Sequence, residues 1–479
     1  MIAPVLLDGR RDLDRDLVGG KAWSVNRLRA LGLPAPPAFT LTTDVGRDVV
    51  ASGGLSTDGI AALDAGIAAL EAALGRTFGG GPRPLLVSVR SGAARSMPGM
   101  MDTVLNVGTT TSTLTALRAE FTDSFAIDVQ NRFTAQFAKV VGAIAPDDAR
   151  AQLQAAAEAV FRSWNSPRAI AYRNHHGLTD DGGTAVTVQA MVFGNRGATS
   201  GTGVLFTRNP HTGGAEPFGE WLPNAQGEDV VSGRVDPSPL LALEDVLPAV
   251  HAELIAAAQL LERELRDVQD IEFTIDDGTL WLLQTRAAKR SPIASARLAI
   301  VLADAGVIDR GEALARLTPA GVSALHEPTV DPVATATARV LASGEPASSG
   351  VATGVVVLTS EVAEDRADVG ESVVLARPTT DPDDIHGMAA AAAVITELGG
   401  VTSHAAVVSR ELGRVCVVGC GVGSLTSLAG QVVTVDGASG QIYAGAVPTV
   451  PPTVRDRDLD VIASWLAESP DPALDAALA

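Results

Sequence analysis

The feature that most constrains this chain is a pair of glycines, Gly399 and Gly400, set between an apolar run and a helical repeat. The run Ala391-Ala392-Ala393-Val394-Ile395-Thr396 reads as a buried strand. Beyond the glycines, Ala405, Val407, Val408 and Leu412 recur at helical spacing, which predicts an amphipathic helix ending at Gly413. Two glycines permit a tight strand-to-helix turn, and Thr402 or Ser403 can cap the helix. His404 then stands in the first turn, among unpaired backbone N–H groups at the positive end of the dipole. An imidazole carrying a phosphoryl group suits that place, because the added negative charge meets donors already present. A histidine that merely closes a helix start suits it as well, and the stretch alone leaves both readings open.

The rest of the composition narrows the field. A chain of 479 residues implies roughly two to four domains, each able to bury its own core. Apolar residues make up 46% and charged residues 19%, which excludes a disordered chain. With aromatics at only 4%, the cores must be built largely of Ala, Val and Leu. A net charge of −20 argues against sequence-independent nucleic-acid binding, which needs cations to neutralise phosphates. Cys416 and Cys420 have neither zinc-site nor disulfide-framework spacing and read as buried free thiols. The start has no signal-peptide order and no apolar run is long enough to span a membrane, so a cytoplasmic protein is expected.

Lysine is rare, with only Lys21, Lys139 and Lys289 in a chain that otherwise uses arginine. Lys21 follows Val18-Gly19-Gly20 and precedes a helical pattern at Trp23, Val25, Leu28 and Leu31. A lysine just past two glycines can hold its ammonium over a phosphate that backbone amides approach closely; an ordinary turn with a solvated lysine is the other reading. Leu85 to Gly92 reads as a buried strand ending at Arg90, followed by the non-repetitive loop Ser96 to Thr103. Arg90 is placed to grip an anion bidentately or to serve as a structural arginine.

Further on, strands are expected at Thr184 to Val192, Gly203 to Phe206 and Phe218 to Leu222, with helix over roughly Leu240 to Leu265. Asp270 to Ile275 alternates polar and apolar residues, Leu280 to Arg286 does so more loosely, and Asp276-Asp277-Gly278 supplies a hairpin turn. Asp270, Glu272 and Thr274 share one face, with Gln284 and Arg286 on the partner strand. Oxygen ligands beside an arginine describe a Mg²⁺-polyphosphate site, whereas cross-strand ion pairs describe a surface hairpin. Weak periodicity from Pro319 to Pro346 marks a domain junction. A β-rich unit of about 100 residues follows, a usual domain size. Beyond Gly445 a short tail with one amphipathic helix is expected.

The stretches GGK at Gly19 to Lys21, SVRSGAARSMPGMMDTVLN at Ser88 to Asn106 and SGTGVLFTRNPHTGG at Ser200 to Gly214 resemble the pyruvate phosphate dikinase family. So do GEWLPNAQGEDVVSG at Gly219 to Gly233, QDIEFTIDDGTLWLLQTR at Gln269 to Arg286 and ELGGVTSHAAVVSRELGRVCVVGC at Glu397 to Cys420. The resemblance covers nearly the whole chain and matches the front two domains of that family. It implies a mixed α+β and α/β multidomain fold: an ATP-grasp nucleotide-binding domain over 1–325, a linker over 326–346, a swivelling β/β/α phosphohistidine domain over 347–447 and a tail over 448–479.

By the family's motif His404 receives the β-phosphoryl group of ATP while inorganic phosphate accepts the γ-phosphoryl, releasing AMP and diphosphate. The resemblance further implies that Lys21 and Arg90 hold nucleotide phosphates and that Arg286 neutralises transition-state charge. Glu272 and Gln284 match the metal pair for Mg²⁺, with Asp270 beside them at the nucleotide. Thr402 matches a position that plant relatives phosphorylate for regulation and is read here, with Ser403, as a helix-cap residue. The family's pyruvate- and phosphoenolpyruvate-binding barrel needs roughly 250 residues, so Ala446 to Ala479 is too short for it. The stretch between Asn106 and Trp164 is also shorter than in the family. The expectation is a phosphotransferase half that passes its phosphoryl group to pyruvate on a separate barrel protein or to another acceptor. Phosphotransfer to a different small molecule and a non-catalytic nucleotide sensor are the alternatives. No membrane partner is expected.

Overall fold

Val87, Val89, Val186 and Val188 lie on neighbouring strands with no solvent exposure, and their burial organises the first sheet. The computed structural model describes residues 2–95, 97, 100–175, 177–179, 182–231, 237–451 and 457–478. It divides into two compact units, residues 1–201 with 273–286, and residues 202–272 with 287–479. In the first unit the strand order is Val5–Leu6, Ala38–Leu41, Ala185–Ala190, Val87–Gly92 and Thr103–Val107, each neighbour antiparallel. Helices Thr57–Leu74, Asp123–Val141 and Ala149–Arg162 cover it, and Phe39, Ile67, Phe137 and Phe161 fill the core. Each such side chain contributes about 1.5–3 kcal/mol by leaving water. The tip of the Gln269–Asp276 and Thr279–Ala287 hairpin belongs to this unit. Asp277 and Gly278 both take positive φ there, 50° and 75°, as the Asp-Gly sequence predicts.

The second unit holds an eight-stranded sheet. Its spatial order is Val340–Ser343, Gln441–Ala444, Val432–Asp436, Val351–Val357, Val373–Arg377, Ala393–Thr396, Val415–Val418 and Glu345–Ser348. The run from Val351–Val357 through Val415–Val418 is parallel, and the other pairings are antiparallel. The expected buried strand is observed at Ala393–Thr396, and the expected helix at His404–Leu412 ends on Gly413 in the left-handed conformation, φ 63°. Strand Phe218–Pro223 pairs with Ser238–Pro239 and neighbours Gly201–Phe206. The expected helix near Leu240 is two helices, Ala242–Val246 and Pro248–Leu265, because Pro248 begins a new one.

Two expectations are corrected. Val340–Ser343 and Glu345–Ser348, within the stretch read as a junction, are the two edges of the eight-stranded sheet. Edge strands are half solvated and carry polar residues and proline, which removes the alternation that marks a strand. The tail also holds two helices where one amphipathic helix is expected. Arg457–Glu468 and Pro472–Leu478 bury Leu459, Ile462, Trp465 and Leu474 with Leu298, Leu302 and Val322 of the same unit.

Candidate functional site

Asp14 begins the Arg15–Ala30 helix by accepting the Asp16 amide, so Gly19-Gly20-Lys21 lies inside a helix rather than ahead of one. Gly19 interrupts it with φ 78°, and an added Cβ there would overlap the Gly92 carbonyl. The Gly20 amide donates to the Ala93 carbonyl at 2.9 Å. The two glycines therefore let the helix touch the end of the Arg90 strand and bring Lys21 against Gly92. One turn later the Ser24 hydroxyl accepts the Thr285 amide at 2.7 Å, fixing the strand that carries Gln284 and Arg286. These contacts join the segments that carry Lys21, Arg90, Gln284 and Arg286 within the first unit. Gln284 is 5% exposed, and its Oε1 is buried with no hydrogen-bond partner among the described residues. An orphaned buried carbonyl oxygen suits a hard cation or a nucleotide donor. Ser96, Pro98 and Gly99 of the expected loop lie outside the described residues.

Asp270 and Glu272 lie in the second unit. Asp270 is buried and Glu272 half-buried, on the face opposite Ile271. No group of three or more His, Cys, Asp or Glu side chains able to hold a metal occurs among the described residues.

His404 opens its helix as expected, but neither expected hydroxyl caps it. Ser403 occupies the N-cap position and makes no capping hydrogen bond, while Thr402 directs its hydroxyl to Glu220. His404 Nδ1 lies 3.0 Å from Thr380 Oγ1. Burial lowers the imidazole pKa, against the pull of the Asp381 and Asp384 carboxylates, so the ring is neutral near pH 7. A neutral imidazole has one donor and one acceptor nitrogen. In the tautomer whose Nδ1–H donates to Thr380, Nε2, which has no hydrogen-bond partner among the described residues, keeps the lone pair.

Glu220, Thr380 and Arg410 are the residues that sequence reasoning missed. Glu220 is 4% exposed on Phe218–Pro223. It accepts hydrogen bonds from the Val401 amide at 2.8 Å, the Thr402 amide at 3.0 Å and the Thr402 hydroxyl at 2.6 Å. Hydrogen bonds to a charged group contribute roughly 1.5–3 kcal/mol each, enough together to offset a burial cost of several kcal/mol. Burial raises the Glu220 pKa, and these three donors pull it back down. Arg410 is fully buried and donates through Nη1 to the carbonyls of Val401 and Ala347, 3.0 Å each. Burial lowers its pKa to about 10, which leaves it charged. The available signal was a lone carboxylate between Phe218 and Trp221 and a lone arginine in an apolar helix, since charges rarely enter such settings unpaired.

Comparison with known proteins bears on the domains and the family. Residues 60–254 match the family model described as pyruvate phosphate dikinase, AMP/ATP-binding domain, and residues 369–440 match PEP-utilising enzyme, mobile domain. Pyruvate, phosphate dikinase of Rhizobium meliloti (strain 1021) is 40% identical, the match covering 94% of this chain and 58% of the relative. For pyruvate, phosphate dikinase 2 of Zea mays the figures are 38%, 96% and 59%, and for the Clostridium symbiosum protein 39%, 91% and 57%. Fold and matches together define a protein that joins a nucleotide-binding domain to a mobile domain of PEP-utilising enzymes. By these domains the chain belongs to the pyruvate, phosphate dikinase family. It spans somewhat over half the length of these curated relatives. Among the described residues no helix is long and apolar enough to cross a membrane.

Proposed function

We propose that this chain performs the nucleotide half of a dikinase reaction, in which ATP and phosphate yield AMP and diphosphate through phosphorylation of His404. The observation that carries the reading is the neutral His404 ring at a helix start, its Nδ1 fixed by Thr380. The Nε2 lone pair forms the N–P bond to the β-phosphorus as the bond from that phosphorus to AMP breaks. Phosphate then takes the γ-phosphoryl group to give diphosphate, and the β-phosphoryl group stays on Nε2. Lys21 and Arg90 hold the phosphates, Asp270 faces the nucleotide, and Arg286 neutralises the transferring charge. Glu272 and Gln284 would hold Mg²⁺, which supplies charge neutralisation on the polyphosphate when bound.

Functionally, residues 1–325 act as the ATP-grasp nucleotide domain and 347–447 as the carrier, whose travel delivers the phosphoryl group onward. The acceptor is pyruvate, on a barrel such as the family carries, or another small molecule, and the reaction is placed in the cytoplasm. The experiment is exchange of labelled AMP into ATP with Mg²⁺ and no pyruvate. Exchange that is lost in Lys21→Met supports the half-reaction. No exchange despite measurable ATP binding would favour a nucleotide sensor.

A further inference from the structure

Resting on that reading, we propose that Glu220 is a positioning residue for phosphoryl transfer: its carboxylate clasps the loop 400–403 onto strand Phe218–Pro223 and thereby sets where His404 stands when it receives the phosphoryl group. The clasp is tertiary, joining residues 181 and 182 positions apart in the chain. Its donors are the Val401 and Thr402 amides and the Thr402 hydroxyl, immediately ahead of the His404 helix. Both carboxylate oxygens are used, so the loop is fixed in register as well as in contact.

Gly400 is shaped to the same contact. An added Cβ at this position would overlap the Glu220 carboxylate, yet its φ is not in the left-handed region. An alanine is therefore excluded there by Glu220 and not by the backbone. From the other side Arg410 holds the Val401 carbonyl at 3.0 Å, so the residue whose amide Glu220 grips has its carbonyl gripped as well. Glu345 is the charged group that acts on Glu220, and Cys416, Asp270 and Glu220 are the groups that act on Arg410. A buried carboxylate is poor material for stability alone, since an apolar residue of similar volume commonly serves as well. Its value is in specifying one position of the loop.

The test compares wild type with Glu220→Gln, Glu220→Asp, Gly400→Ala and the Glu220→Ala/Gly400→Ala pair. A glutamine keeps one acceptor but turns an N–H₂ towards a donor, so it opens the clasp with little change of shape. Single-turnover labelling of His404 from β-labelled ATP should slow at least about tenfold in Glu220→Gln, because a small misplacement of a reacting atom is costly. The ATP Kd and the Tm should stay near wild type. Hydrogen exchange at the Val401 and Thr402 amides should accelerate. Glu220→Asp should be intermediate, and Gly400→Ala should cost no more once Glu220 is already alanine.

Wild-type labelling rate with unchanged amide protection in Glu220→Gln overturns the proposal, as does a loss of rate accounted for by weaker ATP binding. If wild type itself takes no label, the functional reading fails and the catalytic part of this proposal fails with it. The exchange comparison then still decides the clasp: faster exchange in Glu220→Gln supports it, and equal protection overturns it.

Discussion

His404 Nδ1 lies 3.0 Å from Thr380 Oγ1, and that contact engages one ring nitrogen while Nε2 has no hydrogen-bond partner among the described residues. Thr380 is buried, at 7% exposure, just beyond the strand Val373–Arg377. Its hydroxyl is therefore held by the sheet while His404 is held by the helix. The imidazole is therefore positioned from both elements.

Thr380→Val removes the hydroxyl and keeps the shape. His404 labelling should slow about tenfold or more, and Thr380→Ser should restore most of it. Burial lowers the His404 pKa below the ordinary 6.5, and a protonated ring has no lone pair to attack with. The acid-side midpoint of the wild-type single-turnover rate should therefore lie below that ordinary value.

Lys21 and Arg286 are assigned charge contacts to the nucleotide. Removing one such contact costs about 2 kcal/mol, roughly a thirtyfold change. Lys21→Met should raise the calorimetric Kd for ATP by that order. Arg286→Gln should act chiefly on the labelling rate, because the charge it meets develops during transfer.

His211 gives a separate prediction about stability. Burial and the nearby Arg410 charge lower its pKa from 6.5 to about 4, and it is only 3% exposed. Between those values the unfolded chain binds a proton that the folded chain does not, so stability is full above pH 6.5 and is lost as pH falls towards 4. The displacement corresponds to about 3 kcal/mol. Urea unfolding measured across that range should show the slope in wild type and less of it in His211→Phe.

Cys416 and Cys420 are both buried, and burial raises their thiols to about 11 and about 12. Neither carries appreciable thiolate near neutral pH, and only the thiolate reacts readily. In the native protein both should resist a thiol reagent at pH 8, and both should react once the chain is unfolded. Fast labelling of either native thiol would contradict the burial described here.

The sequence made some of this legible and hid the rest for physical reasons. The Ala393–Thr396 strand, the glycine turn and the His404 helix were readable because buried strands and amphipathic helices impose a period on local sequence. The Asp277-Gly278 turn was readable because few other residues tolerate two positive φ values in succession. The edge strands Val340–Ser343 and Glu345–Ser348 were not, since half-solvated strands lose that period. The kink at Gly19 was hidden too: it answers the approach of Gly92, a contact between segments far apart in sequence. Glu220 and Thr380 were missed for the same reason. Their partners Thr402 and His404 are remote in the chain, and no local pattern records a long-range hydrogen bond.

The central claim is that His404 carries a phosphoryl group taken from the β position of ATP. Its most direct test incubates the purified protein with Mg²⁺, phosphate and ATP labelled at the β-phosphorus, with AMP measured alongside and His404→Ala as control. The account predicts acid-labile, base-stable label on the peptide containing His404, matched by AMP and absent from the variant. Measurable ATP binding with no label and no AMP, or label that survives in His404→Ala, would contradict it.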